Sequence, residues 1–300
     1  MIQKLYEKPR NLKTKGKKWK YLYKINKLIA VVFFPIIAHF QKQSGIDNNG
    51  EIVVSLTSFP ARIDKVWITI STLFNQTLKP KRVILWLAEE QFPGKEKDLP
   101  NSLVNQKKRG LEIRFCDDLK SHKKYFYAMK ENPDDVIVTV DDDMLYPENM
   151  LEQLWKSYKK KPDTVICQFA HRITLDEKEN IKPYQEWESC YGENTNPDNM
   201  ILPVGCGGVL YPPHCLDERL FNKEQIQSLC PQMDDLWLKC MAILKGTKAA
   251  ICNEGSLIYF DVTGTRKSGL QHVNAGQNKN DEAMALILKS FPEVLNILRK

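Results

Sequence analysis

A chain of 300 residues, 42% hydrophobic and 27% charged, can bury a substantial core in one large domain or two small ones. The net charge of +7 is confined: residues 1–27 hold ten lysines and arginines against Glu7 alone, a local +9 that leaves the rest at −2. A nucleic-acid-binding body needs basic residues across its folded surface, so no nucleic acid is expected as a partner.

The eight cysteines include no C-x-x-C pair, which removes zinc-ribbon and thioredoxin-like readings. Several sit in apolar runs such as "TVICQF", as buried thiols of a reducing compartment do. The apolar run "LIAVVFFPIIAHF", Leu28 to Phe40, is shorter than the ~20 residues of a membrane span and contains Pro35. The basic stretch before it is too long for a signal peptide, and no small-x-small site follows. Lysines interleaved with Trp19, Tyr21 and Tyr23 suit an anionic membrane surface, with the apolar run dipping into one leaflet. The competing expectation is a helix buried on the main domain behind a loose tail. "QKQSGIDNNGE" reads as a linker, dividing an N-terminal segment, 1–45, from a main domain, 46–300.

The main domain reads as alternating strands and helices. "EIVVSLTSF" is a strand, "KVWITISTLFNQT" a helix with apolar residues at Val66, Ile70, Leu73 and Phe74, and "KRVILWLA" and "LEIRFCDD" are two further strands. A helix over "HKKYFYAMKEN" stops at Asn132-Pro133, "DVIVTVDDD" is the fourth strand, "PENMLEQLWKSYKK" a helix with Pro147 at its first position, and "DTVICQFAHRI" the fifth strand. This order predicts an α/β fold, a mixed and mostly parallel sheet flanked by helices, with ligands at the carboxyl ends of its strands. Thr57 and Ser58, Asp117, and the triplet Asp141, Asp142 and Asp143 all fall at such ends. Three adjacent carboxylates repel one another, which a solvated turn tolerates and a divalent cation relieves. The convergence of polar strand ends favours the cation. Further on, "GCGG" (Gly205, Gly207 and Gly208) matches neither a P-loop nor G-x-G-x-x-G, but lets backbone approach a ligand. Asp234 and Asp235 open an amphipathic helix, where acids commonly serve only the helix dipole.

Taken in order, "VVSLTSFPARI", "KKYFYAMKENPDDVIVTVDDDMLYP", "GCGGVLYPP" and "DDLWLKCMAILKG" resemble a glycosyltransferase with the GT-A (Rossmann-like) fold, of the bacterial family 2-like group that builds capsules and lipopolysaccharide. The resemblance covers roughly residues 51–290. It implies a nucleotide-sugar donor, for which a UDP-sugar is expected, a saccharide or lipid-linked acceptor, and Mn²⁺ or Mg²⁺ to balance diphosphate charge as the glycosidic bond breaks. By the same resemblance, Asp143 contacts the metal and Asp141 or Asp142 reaches the ribose or a metal-bound water. Thr57, Ser58 and Arg62 face the nucleotide, Asp117 binds base or ribose, and Lys124 is the basic residue before the metal strand. Asp235 is the base that deprotonates the acceptor hydroxyl and Asp234 its orienter, although the pair is Asp-Asp where Glu-Asp is commoner. Gly207 and Gly208 belong to the wall between donor and acceptor. Arg266, with Lys267, closes over the diphosphate, and His272 is a candidate third metal ligand. The enzyme would work in the cytoplasm, peripheral on the inner face of the cell membrane. A retaining GT-A enzyme, a nucleotidyltransferase (for which "LTSFPARIDK" lacks the glycine-rich loop) and a membrane-surface scaffold are the competing readings.

Overall fold

The structure is a computed structural model that describes residues 17–191, 195–252, 259–265 and 278–300. A long helix, α1 (Lys17–His39), precedes the sheet-forming part of the chain. Then come β1 (Ile52–Thr57), α2 (Val66–Phe74), β2 (Arg82–Ala88), β3 (Leu111–Cys116), α3 (Lys123–Glu131), β4 (Val136–Thr139), β5 (Met144–Leu145) and α4 (Met150–Lys160). The second half adds β6 (Val165–Cys167), β7 (Phe169–Arg172), β8 (Glu188–Tyr191), β9 (Ile201–Pro203), β10 (Val209–Tyr211), α5 (Lys223–Leu229), α6 (Asp234–Lys245), β11 (Ala249–Ile251), β12 (Phe260–Asp261), α7 (Lys279–Ser290) and α8 (Glu293–Leu298).

Seven strands form one sheet in the order β11-β6-β10-β4-β1-β2-β3. All are parallel except β10, which runs antiparallel between β4 and β6. The sheet is apolar on both faces, as a helix-covered parallel sheet must be. Ile52, Val54 and Leu56 of β1 pack with Ile70, Leu73 and Phe74 of α2, while Val53 joins Ile84, Trp86 and Ala128 on the other side. Strand β1 is flanked by β2 on one side and β4 on the other, so the carboxyl ends of β1 and β4 border the crevice where the strand order reverses. The expected mixed α/β architecture is borne out, as is the succession of strands and major helices along the chain from β1 to β4.

Three local expectations change. The single strand expected over 163–173 is two: β6 lies in the large sheet, and after the buried Gln168 the chain enters a separate antiparallel sheet, β8-β7-β9. Pro147 is not the first helical residue; α4 starts at Met150, whose N–H donates to the Pro147 carbonyl at 3.1 Å. Strand β4 ends at Thr139, so the aspartate triplet occupies the turn into β5 and not an extended strand end.

Helix α1 docks one stripe on the body. Phe34 and Ala38 are buried against Leu145, Phe260 and Val262, with Val31 and Trp67 at the edge. The segment after it is tied down as well: the Gly45 N–H donates to the Arg109 carbonyl at 2.9 Å and the Asp47 N–H to the Pro80 carbonyl at 2.9 Å. Among the described residues no helix is long and apolar enough to cross a membrane.

Candidate active site

The β4–β5 turn sorts its three carboxylates into different environments. Asp142 points inward and is buried; its Oδ1 meets Arg62 Nη1 at 2.5 Å, and its Oδ2 accepts from Ser58 Oγ at 2.5 Å. Its carbonyl accepts from Thr69 Oγ1 at 2.8 Å, fixing the turn to α2. Arg62 also reaches Asp143 Oδ2 at 2.9 Å. Asp141 and Asp143 remain partly open to the crevice. Burial, together with the neighbouring Asp141, pushes the Asp143 carboxyl up to about 7 despite Arg62. Arg62→Ala therefore leaves Asp142 buried without its counter-charge. It should lower stability by about 3–5 kcal/mol at pH 7 in chemical denaturation, the range for breaking a buried ion pair. The loss should shrink at pH 5, where the orphaned carboxyl takes a proton.

Lys124, in the first turn of α3, joins this turn to α6. It is buried, and its Nζ lies 2.8 Å from both Asp141 Oδ1 and Asp234 Oδ2. Burial opposes its charge, but Asp141, Asp234 and Asp235 outweigh that and raise its pKa. Asp234 is buried too, and Lys124 overcomes its desolvation and keeps it ionised. Asp235 differs. It is half-buried, and its Oδ2 accepts the Gly205 N–H at 3.1 Å. Burial and the adjacent Asp234 push it up to about 7 against the pull of Lys124. Gly205 is where these groups converge: a Cβ there would stand 3.0 Å from Lys124 Nζ, 3.1 Å from Asp235 Oδ1 and 3.3 Å from Asp141 Oδ1. Only glycine leaves that space open. Gly208 has φ +84, and a side chain there would press on Met150 Sδ at 3.0 Å. The Gly207 carbonyl accepts from Tyr259 Oη at 3.0 Å.

The remaining sequence-nominated residues have defined places. The Thr57 hydroxyl donates to the Trp86 carbonyl at 2.8 Å, so it braces β1 against β2. Asp117, beyond the end of β3, is exposed and ion-paired with Lys223 of α5. Its neighbour Asp118 is the better-seated carboxylate, held at about 2 by Lys120 and Lys123 against the cost of burial. Arg266, Lys267 and His272 lie outside the described residues.

Sequence reading missed the supports beneath Lys124 and Asp234. Ser55 of β1 donates to the Lys124 carbonyl at 2.5 Å and accepts the Trp86 indole N–H at 3.0 Å. His122 is fully buried, with Nε2 2.6 Å from the Cys230 carbonyl and Nδ1 2.8 Å from the Tyr125 hydroxyl. Burial pushes it down to about 4, so it is neutral, donating to Cys230 and accepting from Tyr125. It ties α3 to the loop that enters α6. Tyr146 Oη accepts the Asp141 N–H at 2.9 Å. No spacing in the sequence marks these residues; strand alternation places Ser55 only inside a run of apolar residues.

Residues 122–244 match the model of glycosyl transferase family 2. Together with the mostly parallel α/β sheet, the match supports a GT-A glycosyltransferase, which implies a nucleotide-sugar donor and an acceptor. No curated protein matches the chain. The matched span includes His122, Lys124, the aspartate turn, Gly205–Gly208 and the Asp234–Asp235 pair, but not Ser58 and Arg62, which pack on Asp142 from outside it.

Glycosyltransferases of this family often use a divalent metal. Among the described residues no group of three or more His, Cys, Asp or Glu is arranged to hold one. Mg²⁺ and Mn²⁺ in nucleotide sites need only one or two carboxylates, the rest of the shell being phosphate and water. With Asp142 locked to Arg62 and Ser58, Asp141 and Asp143 are the pair that fits. Arg62, shared with Asp142, only partly offsets the burial of Asp143 and its repulsion by Asp141, and a cation would offset the rest.

Proposed function

We propose that the protein is an inverting, metal-dependent hexosyltransferase that moves a sugar from a nucleotide-diphosphate sugar, foremost a UDP-sugar, to a hydroxyl of a saccharide or lipid-linked saccharide. Its place would be bacterial cell-surface polysaccharide synthesis of the capsule or lipopolysaccharide type. The observation that carries the reading is Asp235, a carboxyl poised at about 7 at the lip of the crevice, tied through Gly205 and Lys124 to the donor-side Asp141.

On this reading Asp141 and Asp143 hold the cation, which would supply charge balance to the departing diphosphate. Asp142 keeps Arg62 and Ser58 at the floor of the nucleotide crevice. Asp235 takes the proton of the acceptor hydroxyl; the oxygen attacks the anomeric carbon, and the bond to the diphosphate oxygen breaks with its electron pair leaving on the nucleotide. Direct displacement inverts the anomeric centre. Asp234 orients the helix start through Lys124. A retaining course does not need an ionisable pair opening α6, and it remains the second reading. We place residues 46–300 in the catalytic domain and residues 1–45 in a segment that sets location at the inner face of the membrane.

The test is donor hydrolysis with Mn²⁺ across UDP-, GDP- and CMP-sugars, water standing in for the acceptor. Turnover of a single UDP-sugar, lost in EDTA, is the expected result. Equal turnover with EDTA present defeats the metal assignment, and no turnover of any donor defeats the donor class.

A further inference from the structure

We infer that the outward face of α1 is a docking surface for an anionic lipid bilayer, and that its inward face holds the two-stranded antiparallel ribbon of β5 and β12 behind the aspartate turn, so that lipid and donor binding reinforce each other. The inference rests on the membrane-surface reading above and adds the face, the orientation and the coupling.

Helix α1 is apolar both toward the body and away from it. Phe34 and Ala38 face the body, and Lys27, on the same side, reaches Asp261 at 3.7 Å. Around the rest of the helix Leu28, Val32, Phe33, Ile36 and Ile37 are open to solvent, as is Phe40 just beyond it, Leu28 by 63% and Phe40 by 74%. Among the described residues nine large apolar side chains are exposed, and all but Leu286 lie on α1 or immediately after it. Exposure is therefore concentrated on one element, which in a soluble protein marks a surface that something covers. A helix apolar all round is normally covered on every side.

Charge chooses the occupant. Besides the body-facing Lys27, the helix carries Lys17, Lys18, Lys20 and Lys24, and the +9 of residues 1–27 would repel a second copy of the same segment but attract anionic headgroups. Because the inward stripe stays on the body, α1 must lie in the plane of the interface.

The inward stripe leads straight to the donor side of the crevice. Phe34 and Ala38 share a cluster with Leu145 of β5, Phe260 of β12 and Val262. The Val262 N–H donates to the Asp143 carbonyl at 2.7 Å, Lys65 Nζ to the Thr263 carbonyl at 2.8 Å, and Arg62 Nη2 to the Thr265 carbonyl at 3.5 Å. Lipid that fixes α1 fixes this ribbon, and any such coupling is reciprocal.

The intact chain is sedimented with vesicles of phosphatidylcholine alone or mixed with phosphatidylglycerol, and binding of UDP and GDP, each with Mn²⁺, is measured with and without vesicles. Wild type should sediment with the phosphatidylglycerol vesicles, and their presence should tighten nucleotide binding several-fold. Phe33→Ser/Ile36→Ser/Ile37→Ser should weaken sedimentation by about tenfold or more with nucleotide affinity in free solution unchanged. Phe34→Ala, or the milder Lys27→Gln, should still sediment but lose the tightening. Unaltered sedimentation of the triple variant overturns the docking face, as does a wild-type dimer that the triple variant dissolves. Vesicles that leave nucleotide affinity unchanged overturn the coupling. Absence of any nucleotide binding removes the donor reading and the coupling with it, while sedimentation still decides the docking face.

Discussion

Asp235→Asn should lower transfer to an acceptor by about 10²-fold or more, the cost of losing general-base catalysis, while donor affinity stays near that of wild type. Wild-type transfer should rise with pH through about 7, because Asp235 acts as a base only once ionised and burial beside Asp234 holds its proton to that point. The Asn variant should lack this limb. Asp234→Asn tests the other half of the pair and should fail differently. Its carboxylate is one of the two that offset the buried Lys124, so its loss leaves that cation with Asp141 alone and should appear first as lower stability in denaturant. If Asp234→Asn leaves stability intact and abolishes the pH limb, the base is Asp234. Small, equal defects in both reduce the pair to helix-dipole partners and favour a retaining enzyme.

Asp143→Asn should abolish Mn²⁺-dependent donor binding, read by calorimetry with the nucleotide. It should also make the protein without cation more heat-stable at pH 8. The folded-state pKa of Asp143 is raised to about 7, above its unfolded value near 4, so its contribution to stability falls as pH climbs between the two and is fully lost above 7. Asparagine removes that loss, and the two proteins should converge near pH 4. Donor binding that survives in Asp143→Asn or in EDTA would reject the carboxylate-held cation.

The sheet was legible because its strands are buried on both faces and read as apolar runs, and because α2, α4 and α6 carry helical spacing strong enough to place their buried faces. The crevice was legible in outline, since polar residues that interrupt such runs at strand ends have few other reasons to be there. Position in sequence could not show how the triplet divides its labour: a turn replaces the expected extended strand end, Asp142 goes inward, and its neighbours stay open. Nor could it show that Lys124 is a buried bridge and not a solvated lysine, because its partners Asp141 and Asp234 are 17 and 110 positions away. His122 and Ser55 were invisible for the same reason: each satisfies a backbone carbonyl far along the chain, and such pairings leave no periodic trace.

Lys124 has a further consequence for anyone redesigning the enzyme. One ammonium serves carboxylates on both the β4–β5 turn and the start of α6. Substitutions in the two half-sites are therefore not additive. Neutralising Asp141 withdraws a negative charge that helps Asp235 hold its proton and leaves Lys124 attending to the acid pair alone, so Asp235 titrates lower. Under the proposed function, a change at the β4–β5 turn made to alter donor preference would shift the pH optimum of acceptor activation without touching α6. A double-mutant cycle between Asp141 and Asp235, read as the midpoint of the pH limb, would measure that crosstalk directly.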